Sequence, residues 1–126
     1  MQSVSDYKDL EAWKQAMSIV KDIYQLTAQL PKEENYGPTS QLCRTAVSIP
    51  ANIVEGWGRR STAAFIQFLR QANGSRTERE TLLLISEQVG LLPAEATSSA
   101  LLDTLQHLGR QLTSLERSLQ RRKNSP

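Results

Sequence analysis

The sequence predicts an all-α protein, an antiparallel up-down-up-down four-helix bundle, and three observations predict it. Apolar residues recur at intervals of three and four through most of the 126 residues, the period of an amphipathic helix. Glycine and proline cluster mainly at three places and so divide the chain into four segments. No stretch alternates apolar and polar residues as a half-buried strand does, and Asn73-Gly74 lies inside a helical pattern rather than between β-branched runs. Four helices of roughly 20 residues, each ~30 Å long, suit a single bundle domain.

The first helix is expected at about 9–30. Leu10, Trp13, Met17, Val20 and Tyr24 form one stripe, and Ala12, Ala16, Ile19, Ile23, Leu26 and Leu30 form a second beside it. Together they make an apolar arc wider than a single helix seam needs, so part of it is expected to bury against another subunit. Trp13, Met17 and Tyr24 are the candidate residues for that interface. Pro31 ends the helix, because a residue before proline is pushed out of the helical region.

The second helix, at about 38–57, opens with Pro38 at the first helical position. Its inner stripe is Leu42, Ala46, Ile49 and Ile53, with Cys43, Val47 and Val54 alongside. Pro50 cannot donate to the Ala46 carbonyl, so a kink is expected there. Gly56-Trp57-Gly58 closes the segment.

Ser61 or Thr62 caps the third helix, at about 62–90. Phe65, Phe68, Leu69 and Ala72 face inward, followed by Leu82, Leu83, Ile85 and Val89, until Gly90 and Pro93 end it. The fourth helix, at about 97–121, carries Leu101, Leu105, Leu108, Leu112, Leu115 and Leu119 in a strict a/d seam. Ala94 to Ser99 form the loop before it, and the ends, about 1–6 and 123–126, are expected to be disordered.

Composition narrows the function without naming it. Fifteen basic and thirteen acidic residues give a formal charge of +2, too balanced to demand a polyanionic partner. One cysteine excludes an internal disulfide framework and a multi-cysteine zinc site. No run approaches the ~20 apolar residues of a membrane span, and the first residues lack a signal-peptide pattern. A cytoplasmic domain with no membrane association is expected.

Enzymatic readings of a bundle fail on residue type. A di-metal carboxylate site needs Glu-x-x-His pairs on two helices, whereas the one histidine, His107, has no Glu three residues before it. It sits about 120° from the middle of the leucine seam, as a flank or surface residue would. Cys43 reads as a small core residue, and nothing places the lone histidine beside a nucleophile. Gly56-Trp57-Gly58-Arg59-Arg60 lacks the Gly-Lys-Ser/Thr ending of a P-loop and follows a helix, not a strand. No catalytic residue, metal or cofactor is therefore expected.

Two polar constellations remain. Thr45, Ser48, Asn52 and Glu55 border the inner stripe of the second helix, while Ser75 and Glu78 share heptad register with Leu82, Ile85 and Val89. Gly74 and Ser75 are small enough for another helix to approach closely. Ser48, Asn52, Glu55, Ser75, Arg76 and Glu78 are thus expected to form a buried polar network. Its main role would be to fix helix register, and the less favoured one to hold a small molecule.

The second constellation is basic. Residues 1–63 carry seven cations and seven acids, but residues 110–126 carry five cations against Glu116 alone. Arg110, Arg117 and Arg121 lie within about 40° of one another, opposite the leucine seam. With Arg59, Arg60 and Arg122 they are the candidate contacts to RNA or DNA.

A family resemblance then becomes visible. It is carried by Leu30-Pro31-Lys32-Glu33-Glu34-Asn35-Tyr36-Gly37, by Gln41-Leu42-Cys43-Arg44 and by Ala46-Val47-Ser48-Ile49-Pro50-Ala51-Asn52-Ile53-Val54-Glu55-Gly56. Arg60-Ser61, Phe65, Phe68-Leu69, Ala72, Gly74-Ser75 and Glu78-Arg79-Glu80 extend it. The chain resembles the bacterial four helix bundle protein family, whose founding members are encoded by intervening sequences within 23S ribosomal RNA genes. The accessory variability determinant of diversity-generating retroelements is a more distant relative. The pattern departs at Ala64, where the family commonly has Glu, at Arg79, where Leu is usual, and at Cys43, where a second Arg or another polar residue is common.

The resemblance implies a left-handed bundle that assembles as a homopentamer, with no recognised enzymatic residues and an activity that is not established for the ribosomal relatives. The retroelement relatives imply contact with nucleic acid through a basic surface. The expected function is that of a non-enzymatic oligomeric scaffold or adaptor. The alternatives are a nucleic-acid-binding accessory protein and a binder of a small molecule between the second and third helices.

Overall fold

The computed structural model describes residues 6–28, 37–92 and 99–124, and in them the chain is a bundle of four α-helices without a strand. The helices are α1 (Glu11–Thr27), α2 (Pro38–Gly58), α3 (Thr62–Gln88) and α4 (Ser99–Lys123). A 3₁₀ turn at Tyr7–Asp9 precedes α1, held by the Asp6 carboxylate accepting the Lys8 N–H at 3.0 Å. This turn replaces the expected disorder at Asp6 and delays the start of α1 to Glu11. At the other end Lys123 still belongs to α4. Leu30, Pro31, Pro93, the start of the expected α3–α4 loop and residues 1–5 and 125–126 lie outside the described residues.

Round the bundle each helix touches its sequence neighbours, α4 returns to α1, and α2 against α3 is the most extensive contact. Neighbouring helices run antiparallel. The Tyr7 ring meets Trp57 edge-on at 5.6 Å at one end of the α1–α2 pair, while Thr27 Oγ1 lies 3.3 Å from Cys43 Sγ at the other. Arg70 Nε donates to Glu116 at 2.9 Å, and Arg76, further along α3, lies beside Gly109, earlier on α4.

The core is built mainly of aliphatic side chains at helical spacing. α1 contributes Ala12, Ala16, Ile19 and Ile23, α2 contributes Leu42, Ala46, Ile49 and Ile53, and α4 contributes Leu105, Leu108, Leu112 and Leu119. Pro50 is buried within α2, and the helix continues from Pro38 to Gly58 around it.

The register of α3 departs from expectation. Its buried set is Ile66, Leu69, Ala72, Arg79, Leu83 and Ser86, while Ile85 and Val89 are 41% and 63% exposed. Glu78 is therefore on the surface, and the charge that lies in the core is its neighbour Arg79. The run Leu82-Leu83-Leu84-Ile85 fits several helical faces equally well; Leu83 is buried as expected, but the heptad register drawn through Leu82, Ile85 and Val89, which put Glu78 inward, is not the buried one. Gly90, with φ +83°, ends the helix in the left-handed region that glycine adopts without strain.

Close approach of α2 to α3 depends on Gly56, not on Gly74. A Cβ at Gly56 would sit 2.7 Å from Phe68 Cβ and 3.3 Å from Phe65 Cα, whereas nothing lies within 4 Å of one at Gly74 or Gly58. Gly56→Ala is expected to destabilise the bundle by about 1–3 kcal/mol, because overpacking outweighs the gain in helix propensity. Gly58→Ala is expected to be neutral or slightly stabilising, and urea unfolding of the two variants checks the contrast.

Candidate nucleic-acid interface

α4 is a 25-residue helix whose leucine seam packs into the core, with Leu105, Leu108, Leu112 and Leu119 buried, and that fixes what its opposite face presents. Arg110, Arg117 and Arg121 all emerge on that side and are exposed. From Arg110 to Arg121 the helix rises about 16 Å. Together with Arg76 of α3 they line one open groove of about 710 Å³, completed by Gln106, Gly109, Thr113 and Ser114.

Arg76 forms the floor of this groove. Its Nε donates to Asn73 Oδ1 at 2.7 Å and its Nη1 to Glu80 at 2.9 Å, which holds the guanidinium in place. Gly109 is buried, and a Cβ there would lie 2.7 Å from Arg76 Cζ. The glycine lets the guanidinium lie flat against the backbone of α4.

Charge in the groove is only partly compensated. Glu116, the one acid in the basic part of α4, is drawn across to Arg70 of α3. Among the described residues Arg110 and Arg117 make no ion pair. A ligand with regularly spaced negative charge would find these donors in a row, with the Thr113 and Ser114 hydroxyls between them.

The other three candidate cations do not join the groove. Arg60 and Arg122 line a separate cavity of about 220 Å³ with Trp57, Ser61 and Thr62. Arg60 has φ +57°, which closes the tight α2–α3 turn, and its guanidinium lies 5.6 Å from the Trp57 ring. Arg59 is engaged twice, donating to Glu55 at 2.8 Å and lying 5.1 Å from the Phe68 ring.

The expected buried polar network does not exist as one cluster. Ser48 Oγ lies 2.7 Å from Ser75 Oγ, and Asn52 donates to the Ser48 carbonyl, so these three meet between α2 and α3. Glu55 is an exposed surface partner of Arg59, Arg76 faces α4, and Glu78 is exposed. The reason is the α3 register, which turns the face bearing Glu78 outward.

The same register buries Arg79 completely, with none of its three guanidinium nitrogens partnered. Burial lowers its pKa to about 10, opposed by the adjacent carboxylates of Glu78 and Glu80. No sequence pattern foretold it, because a single Arg in a helix normally reads as a surface residue.

Of the expected interface residues, Met17 and Tyr24 are 44% and 50% exposed. Trp13 is instead half-buried, with the Tyr7 ring edge-on at 5.4 Å. His107 is exposed and lines an α1–α4 groove of about 470 Å³ with Arg110 and Gln111. Among the described residues no group of three or more His, Cys, Asp or Glu could hold a metal. No helix among them is long and apolar enough to cross a membrane.

Comparison with known proteins places this architecture. The family model described as 23S rRNA-intervening sequence protein matches residues 8–114. No curated protein shows significant similarity to the chain. Among solved structures, a protein with unknown function from the S23 ribosomal protein family of Bacteroides thetaiotaomicron is 22% identical with a TM-score of 0.76. The match covers 84% of this chain and 95% of that one, and it shows a shared fold. The four-helix fold and a match through most of α4 lead to one conclusion: the chain belongs to the 23S rRNA-intervening sequence protein family.

Proposed function

We propose that the protein is a non-enzymatic, cytoplasmic accessory protein that grips the phosphodiester backbone of nucleic acid in the α3–α4 groove. The observation that supports this reading is the convergence of Arg76, Arg110, Arg117 and Arg121 on one surface. Backbone phosphates are gripped by just such rows of cations, without any need for base contacts. The groove offers guanidinium groups and hydroxyls but no aromatic platform among its lining residues, which argues for a grip on the backbone over stacking of single-stranded bases.

Fluorescence anisotropy with a labelled short RNA duplex tests the proposal. Binding is expected at low salt, and log K should fall linearly with log salt, with a slope of roughly −3 if the three exposed arginines of one subunit each neutralise a phosphate. Absence of binding at low salt, or binding indifferent to salt, would overturn it.

A second reading, that the protein works as a self-assembled scaffold, is favoured by its exposed apolar side chains. Met17 and Tyr24 on α1 and Val47 on α2 are each 44–50% exposed. Thr27 faces Cys43 across the α1–α2 pair, so one helical turn further in, Tyr24 and Val47 stand at the same level. Leu84, Ile85 and Val89 extend the exposed apolar surface on α3. Water is a poor neighbour for so many large side chains, and burial against further copies removes them from it. A pentamer, as the family resemblance implies, would repeat the basic groove around a ring and multiply its field. Light scattering should give an oligomer mass at micromolar protein, and Met17→Lys with Tyr24→Lys should lower it. A monomer mass for the unaltered protein would overturn this reading.

A further inference from the structure

The core face of α3 carries a positive charge that neither reading uses. Arg79 has no solvent exposure, and all three of its guanidinium nitrogens lack a partner. The acids nearest in sequence do not serve it, since Glu80 accepts from Arg76 and Glu78 is exposed. A buried cation without a counter-charge is costly, and the cost is relieved when an anion shares the site.

The surroundings suit an anion. Side chains on a helix lean toward its N-terminus, which carries the Arg79 head toward the level of Ser75, one turn earlier. There Ser48 Oγ donates to Ser75 Oγ at 2.7 Å and to the Thr45 carbonyl at 2.8 Å, which leaves the Ser75 hydroxyl hydrogen to be given to an anion. Hydroxyl groups turn readily to donate to an anion. A single negative charge matches the single positive charge of Arg79, whereas a dianion would leave the site charged in a medium of low dielectric.

We propose that this interior is an anion-binding site in which Arg79, aided by the Ser75 hydroxyl, receives one small monoanion of the halide or carboxylate class. It differs from the surface groove in charge, size and location, and does not depend on it.

Thermal unfolding of the full chain at constant ionic strength tests the site, with gluconate replaced stepwise by chloride or by formate. At saturating concentrations the melting temperature should rise by about 4 °C for each tenfold increase in the small anion, as linkage requires. Arg79→Met should show no such rise. An equal response in both proteins overturns the site, as does no response in the wild type. The ³⁵Cl NMR line of chloride should broaden with the wild-type protein and sharpen again when formate is added. Broadening that formate does not reverse overturns the proposal even where Arg79→Met fails to fold. Arg110→Glu with Arg117→Glu should retain the chloride response, and loss of the response in that variant would place the anions in the groove and overturn the interior site. A formate effect without a chloride effect identifies the carboxylate as the ligand and supports the site.

Discussion

Replacing Arg110, Arg117 and Arg121 together with glutamate is expected to weaken binding to a short RNA duplex at least 100-fold at low salt. Each substitution removes a favourable phosphate contact and installs a repulsive one, so the change in charge is six for each subunit. A duplex presents one negative charge for every ~1.7 Å of its axis, and every reversed arginine faces it at close range. The three residues are exposed and lie opposite the buried leucine seam, so the helix itself should tolerate the change, which circular dichroism checks. The salt slope should collapse with the affinity. Arg44→Glu is the matched control, since Arg44 is an exposed cation on α2, outside the residues that line the groove. It should alter affinity less than about threefold, as a distant charge screened over a Debye length does. Wild-type affinity in the triple variant would remove the groove from the function.

The effect should also depend on assembly. If copies form a ring, each duplex spans several grooves, and effective concentration raises the affinity of the whole above that of one subunit. Loss from reversing the charges then compounds across the ring.

How much of this was legible in the sequence differs by element, for physical reasons. The leucine seam of α4 repeats without interruption, so its buried face and therefore its basic face could both be read from spacing. α2 was equally legible, because Leu42, Ala46, Ile49 and Ile53 all lie in the core. α3 was not. Four consecutive apolar residues at its C-terminal half satisfy more than one face, and the true stripe includes Arg79 and Ser86, residues that a hydrophobic pattern excludes from a core. The heptad register through Leu82 and Ile85 put Glu78 inside, whereas the buried charge is Arg79, of opposite sign. The role of Gly109 was equally hidden, since it depends on where a side chain of α3 lies against α4. The 3₁₀ turn at Tyr7–Asp9 has a local signal in Asp6, whose carboxylate caps it, but the packing of the Tyr7 ring on Trp13 and Trp57 joins distant residues that no local pattern contains.

Arg79→Met is expected to raise the stability of the protein by roughly 1–4 kcal/mol in a medium without small anions. Methionine is unbranched and reaches about as far as the arginine Nε, so it fills the space of the stem and adapts to its walls. What it removes is the desolvated guanidinium, whose nitrogens have no partner to offset the loss of water. The sign of the pH dependence follows from the lowered pKa. Burial brings the folded-state value down to about 10, so the charged form is the one that folding disfavours. The penalty is fully present below that pH and shrinks as pH rises through it, because the folded protein can then release the proton. The stability gap between Arg79→Met and wild type should therefore be constant from neutral pH to about 9 and narrow above about 10. Both proteins share every other titratable group, so the difference isolates Arg79. Chemical denaturation of the two proteins at each pH measures it. A variant less stable than wild type at neutral pH would mean that the guanidinium is compensated in the folded state, and that the register of α3 places it against a partner.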